Sequence, residues 1–388
     1  MLSHTLAFSP EQDEAFFAAT PASPAVFLLR GEGEPYVSKT ANLRRRLQRL
    51  LGSTTERSKR LNLRDRVCAI EFTPTGSDFE SQFLLYRLLR ETIPKTYSTR
   101  LRIRLAPLVR LHLENAYPRA SVTTRLGRLE GSNRYYGPFL SRTAAEKFAS
   151  DSLDFFKMRR CIDDLHPDPA FPGCVYSEMK MCLAPCFKGC TDSDYQAEVA
   201  RVQAFFDTAG DSLYRELAEQ RDRASAELAF EDAAAIHAKL DKLKPVLAQL
   251  PEIVRRIDRL DGVIVQPSLI PDSVSLFRLW KGVLHAPAVV PLRLHGSIST
   301  ESRVEEWIAS FSSQKIKSSL ERMEHLAILK RWYYRSHRTG EIFLADDSGS
   351  WPLRQIVRGI GRVYRGEKPQ EAPIFSVPET TPPPSQSA

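Results

Sequence analysis

Tyr36-Val37-Ser38-Lys39-Thr40-Ala41-Asn42-Leu43-Arg44-Arg45-Arg46 decides how the first part of this chain folds. Tyr36-Val37 resumes an extended run after Gly31-Glu32-Gly33-Glu34-Pro35, which has the composition of a turn. Ahead of that turn, Ala25-Val26-Phe27-Leu28-Leu29 is continuously apolar, as in a buried strand. Beyond it, Thr40 or Asn42 can cap an Arg-rich helix running to about Leu51. Working outward, Val67-Cys68-Ala69-Ile70-Glu71-Phe72 reads as a third strand. Ser77 or Asp78 caps a second helix through about Glu91, which Pro94 ends. Between residues 100 and 113, Arg alternates with Leu101, Ile103 and Leu105, which predicts a strand with one basic face. Residues 1–115 are thus expected to form a small α/β domain with a short sheet.

The charge of the whole chain says little until it is located. Its 388 residues hold 55 Lys and Arg against 47 Asp and Glu, a formal net charge of +8. Between Ala41 and Arg110 there are sixteen basic and six acidic residues, a local excess of +10. The remainder is therefore slightly acidic. The excess is mostly Arg, whose planar fork suits phosphate oxygens, so the first domain is expected to meet a phosphate backbone. Hydrophobic content of 42% supports ordinary cores and excludes wholesale disorder. No run of about 18 apolar residues predicts a membrane span, and the first residues lack a secretory pattern. The expected location is the cytoplasm, with no membrane partner.

Six cysteines are too few for a disulfide scaffold. Five of them fall within one stretch. Cys161, Cys174, Cys182 and Cys186 are spaced C-x12-C-x7-C-x3-C, and Cys190 follows. Four thiolates can close a tetrahedral zinc site or hold a [4Fe-4S] cluster, and the spacing alone does not choose. Cys68 stands alone on its strand and is expected in the core. His166 reads as a loop residue. Farther on, Leu213, Leu217, Ala224 and Leu228 mark one helix, and Ala233, Ile236, Leu240, Leu243 and Leu247 a second. Phe230-Glu231-Asp232-Ala233-Ala234 lies at the bend between them.

The opening stretch resembles the second half of the GIY-YIG nuclease motif, in the form carried by the bacterial UvrC excinuclease family. Tyr135-Tyr136-Gly137-Pro138-Phe139, the Met181-Cys182-Leu183-Ala184-Pro185-Cys186 stretch and the helical hairpin continue that likeness, in order, over about residues 20–250. The hairpin is similar to the UVR motif of the excinuclease proteins UvrB and UvrC.

The resemblance implies metal-assisted phosphodiester hydrolysis in DNA repair. It implies Tyr36 as the tyrosine that helps deprotonate water, Arg46 as the arginine that stabilises the phosphate, and Lys39 as the lysine following the tyrosine. Asn42, Arg44, Arg45 and Arg49 would contact DNA. It favours a [4Fe-4S] cluster on Cys161, Cys174, Cys182 and Cys186, with zinc as the alternative. It implies a UVR-bearing repair partner, such as the excinuclease protein UvrB, docked through Leu228, Phe230, Ala233, Ala234, Ile236 and Leu240. Mg²⁺ or Mn²⁺ would serve an active nuclease centre.

Four positions depart from the motif, one being its later asparagine, which falls at Tyr97 or Ser98. Phe27 replaces its first tyrosine, Ser38 its glycine, and Leu85 the glutamate that should hold the metal. The chain is therefore read as a UvrC-like repair protein making at most one incision, or as a non-catalytic adaptor on the same scaffold. A redox sensor would leave the basic domain unexplained.

The expected class is α+β, multidomain. It comprises a GIY-YIG-like domain at 1–115, a cysteine-rich region at 116–195, and a helical region at 196–250 with the hairpin at about 213–248. A mixed region at 251–370 and a disordered tail at 371–388 complete it. A full UvrC continues into an RNase H-like nuclease, whose Asp-rich opening is not found after Leu247.

Overall fold

The computed structural model describes residues 2–53, 61–292, 299–311 and 318–369. The tail at 371–388 and the basic residues Arg57, Lys59 and Arg60 lie outside them. The class is mixed α/β, as expected. The described residues cluster into two units. One joins the chain up to Leu105 to the stretch from Asp261 to the end of the described residues, and the other is Ala106–Leu260. The segment after 260, set apart in the sequence reading, thus clusters with the N-terminal domain.

The first unit opens with β1 (His4–Ala7), α1 (Asp13–Ala19), β2 (Ala25–Gly31), β3 (Tyr36–Thr40), α2 (Leu43–Leu51) and β4 (Val67–Pro74). The strands form one antiparallel sheet in the order β1-β4-β2-β3. Central β2 buries its apolar run Ala25–Leu29 and leaves Arg30 and Gly31 exposed at its end. Helix α2 packs its Leu43, Leu47, Leu50 and Leu51 stripe on Phe27, Leu29 and Ile70. Asn42 starts it, its side chain accepting the Arg45 N–H at 3.0 Å. Cys68 is exposed, contrary to the core expectation. It sits at the start of β4, its Sγ 3.5 Å from the Arg30 carbonyl.

Helix α3 (Asp78–Thr92) follows, capped by the Ser77 hydroxyl, and then the short α4 (Tyr97–Leu101). The strand expected over 100–113 shrinks to β5 (Leu108–Leu111). Local hydrogen bonds explain the difference. Arg102 adopts a left-handed conformation, its N–H bonding the Thr99 carbonyl, and the Ile103 N–H bonds the Ser98 carbonyl. The helix end thus absorbs donors that a ladder would have used.

In the second unit, β5, β6 (Ala120–Thr123), β7 (Arg134–Gly137) and a short β8 (Arg255–Arg256) form a sheet in the order β6-β5-β7-β8. The helices are α5 (Arg142–Leu153), α6 (Val175–Glu178), α7 (Asp192–Asp207), α8 (Asp211–Ala226) and α9 (Phe230–Ala248). The α8–α9 pair is the expected hairpin, and its two ends differ. Leu213, Leu217, Leu240, Leu243 and Leu247 are buried in the unit's own core. At the bend, Leu228 and Phe230 are exposed by 72% and 65%.

Back in the first unit, β9 (Gly262–Pro267), β10 (Ser273–Trp280), β11 (Val283–Leu284), β12 (Ala288–Pro291) and β13 (Glu341–Leu344) form a five-stranded sheet. With it go α10 (Thr300–Ala309), α11 (Ser319–Tyr333) and α12 (Leu353–Tyr364). This layer closes over α3. Phe79 packs edge-on to Phe277 with ring centres 5.0 Å apart, and Phe83 meets His325 at 5.4 Å. Buried Glu324 accepts the hydroxyls of Tyr86 at 2.7 Å and Tyr97 at 2.5 Å. Burial, followed by that carboxylate, pushes Tyr97 up to about 12. Gly76 allows the approach, since a Cβ there would stand 2.4 Å from the Pro267 carbonyl oxygen. Basic, aromatic α11 is mainly a core helix, with Leu326, Leu329 and Trp332 buried. Among the described residues, no helix is long and apolar enough to cross a membrane.

Candidate functional site

The α2 side of the first sheet carries an open groove of about 710 Å³. Thr40, Ala41, Asn42, Arg45, Arg46, Arg49, Leu50 and Leu61 line it. Arg46 is fixed toward the sheet, its Nη2 donating to the Tyr36 hydroxyl at 2.7 Å. Its Nε is buried without a hydrogen-bond partner. Arg45 and Arg49 are exposed along the same helix. Asn42 lines the groove while its side-chain oxygen caps the helix. No carboxylate is among the described residues lining the groove.

Arg44 points elsewhere. Its Nε donates to the Thr20 carbonyl at 2.8 Å and its Nη2 to the Ala18 carbonyl at 3.3 Å. It therefore closes the end of α1 and is absent from the groove lining.

Lys39 is separated from Tyr36 by the sheet itself. Residues directly opposite in an antiparallel pair share a face. Tyr36 stands opposite Leu29, and Ser38 opposite Phe27, both in the cluster under α2. Lys39 stands opposite Val26, on the α3 side. There its ammonium pairs with Asp78, which also holds Arg335 at 2.5 Å. Burial pushes the Asp78 carboxyl up, but Lys39 and Arg335 outweigh it and hold the group below its ordinary value. The structure thus joins Tyr36 to Arg46 and places Lys39 in a different ion cluster.

Leu85 lies on α3 and is only 8% exposed. Phe27, at the first motif position, is fully buried. Glu80 is also taken, accepting the Gly76 N–H at 2.8 Å, and burial raises its pKa. Among the described residues, no three His, Cys, Asp or Glu side chains are arranged to hold a metal ion. The groove therefore does not fit Mg²⁺ or Mn²⁺ by its own donors.

The cysteines of the second unit are gathered but not set in a coordination geometry. All are free thiols. Burial pushes Cys182 up to about 11, and Cys161, Cys186 and Cys174 add to the rise, so Cys182 lies within electrostatic reach of the other three. The Cys182 Sγ accepts the Ala184 N–H at 3.3 Å. Four free thiols in one region have the chemistry of a donor set for zinc or a cluster, without being arranged around a metal position. Cys190 is near Cys186 but also near Asp194 and Asp192. The sequence reading missed Arg159, which donates to the Cys161 Sγ at 3.3 Å. Its position two residues before the first cysteine was the available clue.

On the hairpin, Leu228, Phe230 and Ala234 are exposed, and Ala233 and Ile236 are half-buried. Leu240 is 1% exposed and belongs to the unit's own core, which corrects its place among the partner-binding residues. The hairpin buries its open end in the core, and none of residues 218–239 around the bend is buried.

The family model described as "UvrC/Cho excinuclease, middle domain" matches residues 107–205. UvrABC system protein C of Rickettsia felis is 28% identical over 225 residues, covering 58% of this chain and 34% of that protein. The protein of the same name from Rickettsia bellii is 28% identical over 225 residues, covering 58% and 35%. That of Rickettsia akari is 26% identical over 278 residues, covering 71% and 41%. The chain spans between 34% and 41% of the length of these curated relatives. No solved structure matches. Residues 107–205 thus match the middle domain of the UvrC/Cho excinucleases, and the chain is similar to UvrABC system protein C over at least 225 residues.

Proposed function

We propose that this chain is a DNA-binding adaptor of excinuclease-type repair that holds the phosphate backbone in the α2 groove without cutting it. The observation that carries the reading is the groove itself. It offers Arg45, Arg46 and Arg49, includes a buried Arg46 Nε without a partner, and has no carboxylate among its described lining residues. Such a surface attracts anions but offers no carboxylate to a divalent metal. On this reading the first domain is a GIY-YIG-type scaffold kept for binding, since a fold can outlive its site. The hairpin bend, with Leu228 and Phe230 exposed, would dock a UVR-bearing repair partner. The four cysteines, all inside the stretch that matches the middle-domain model, would hold a [4Fe-4S] cluster or zinc as a structural element.

The Tyr36–Arg46 bond favours a second reading, incision, because it places a phenol beside a guanidinium at the groove. One experiment separates the two. Purified full-length protein is titrated onto labelled duplex and bubble DNA, with fluorescence anisotropy for binding and denaturing gels for nicking in Mg²⁺ or Mn²⁺. Binding that weakens steeply with salt, without strand cleavage, is expected. Metal-dependent nicking that disappears in Tyr36→Phe and Arg46→Ala would overturn the adaptor reading.

A further inference from the structure

Arg159 is 2% exposed, yet among the described residues no Asp or Glu carboxylate stands within ion-pair distance of it. Two other partly covered arginines of this unit are paired. Arg160 meets Asp154 at 2.8 Å, and Arg256 meets Asp207 at 3.1 Å and Asp258 at 2.7 Å. The Arg159 Nε donates to the Tyr117 carbonyl at 2.9 Å. Its Nη1 donates to the Asp163 carbonyl at 2.8 Å and to the Cys161 Sγ at 3.3 Å.

A guanidinium stays charged inside proteins, and a buried charge without a counter-charge is costly. Two carbonyl dipoles solvate this one in part. Of the side chains it contacts, only the Cys161 sulfur can supply a full negative charge, as a metal-held thiolate does.

The surrounding backbone is fixed on the same segment. The Arg159 N–H donates to the Tyr195 hydroxyl at 3.1 Å, and that hydroxyl donates to the Pro118 carbonyl at 2.7 Å. Two residues earlier, the Lys157 carbonyl accepts the Leu183 N–H at 3.0 Å. The stretch carrying Arg159 thus anchors the Cys182–Cys186 loop as well as Cys161.

We propose that Arg159 is the positioning residue of the cysteine centre: its guanidinium orients the Cys161 sulfur and balances the charge of the thiolate-held metal group. The inference rests on the reading of Cys161, Cys174, Cys182 and Cys186 as ligands. It explains why an arginine is buried where no acid meets it. Metal-ligand sulfurs are oriented and tuned by donors just outside the coordination shell, and loss of such a donor typically weakens metal affinity about 10–100-fold.

The test uses the full chain, either reconstituted anaerobically with ferrous iron and sulfide or loaded with Zn²⁺. Metal per chain, chelator competition and the visible spectrum are read for wild type, Cys161→Ser, Arg159→Met and Arg159→Lys. Arg159→Met is expected to bind metal about 10–100-fold more weakly. Arg159→Lys, which keeps a cation but not the fork, should recover part of the affinity and shift the visible band of the iron–sulfur form. A wild type that loads, with both variants matching it in affinity and spectrum, overturns the proposal. Should far-UV circular dichroism show Arg159→Met unfolded, Arg159→Lys decides alone, and wild-type affinity and spectrum in that variant overturn the proposal. A wild type that takes up neither iron–sulfur nor zinc overturns the ligand reading itself, before any variant is compared.

Discussion

The Tyr36 hydroxyl accepts a 2.7 Å hydrogen bond from Arg46, ten residues later in the chain. The bond ties β3 to α2 and points one nitrogen of the guanidinium at the sheet. The Nε remains buried and unbonded beside the groove. An arginine held in this way is pre-positioned for an anion, because little side-chain entropy remains to be lost on binding.

Arg46→Ala should therefore weaken DNA binding and lower the slope of log affinity against log salt by about 1. Tyr36→Phe should leave that slope near wild type, because the phenol is an acceptor for Arg46 and carries no charge to the phosphate. Anisotropy titrations across a salt series check both. A slope unchanged in Arg46→Ala would remove the groove from the DNA interface.

Placing a glutamate at position 85 should not create a nuclease. Leu85 is 8% exposed, so Leu85→Glu buries a carboxylate with no cation provided for it. The expected result is a destabilisation of about 2–3 kcal/mol without metal-dependent nicking. Urea denaturation and a nicking assay on the same preparation check it.

Asp78 links Lys39 to Arg335, and those two cations hold its carboxyl below the ordinary value of 3.8. A carboxylate with a depressed native pKa adds stability above its unfolded pKa, and that stability is lost as pH falls through the native value. Wild type should thus lose stability below about pH 4, and Asp78→Asn should lose less over the same interval. The group is half exposed, so the difference is expected to be small. Thermal melts from neutral to acid pH give the comparison.

The two ends of the hairpin should separate stability from docking. Leu240→Ala empties a core position and should cost about 2–5 kcal/mol. Phe230→Ala, at the exposed bend, should leave the melting curve nearly unchanged and weaken capture of a UVR-bearing partner hairpin. Calorimetry with a partner-hairpin peptide reads the second effect. Equal binding by wild type and Phe230→Ala would move the docking surface elsewhere.

Much of the local structure was legible in the residues. The Ala25–Leu29 run, the Asn42 and Ser77 caps and the leucine spacing of α2 and the hairpin all sit where short-range chemistry places them. The strand expected over 100–113 failed because the alternation of Arg and apolar residues was outweighed by a helix end. There Arg102 could turn left-handed and satisfy its donors locally. Arg44 was equally illegible as a cap for α1, since its partners Ala18 and Thr20 lie more than twenty residues earlier.

By itself the sequence determined the concentration of Arg in one domain, the clustering of cysteines and an apolar residue at position 85. These are properties of composition and spacing. Only the tertiary structure decided that Lys39 faces Asp78 across the sheet from Tyr36, that Leu240 is spent on the core, and that Arg159 is buried against Cys161. The reason is that charge pairing and burial depend on which faces meet. The alternation of a strand names two faces, but only the packing of α2, α3 and the returning C-terminal layer says what covers each.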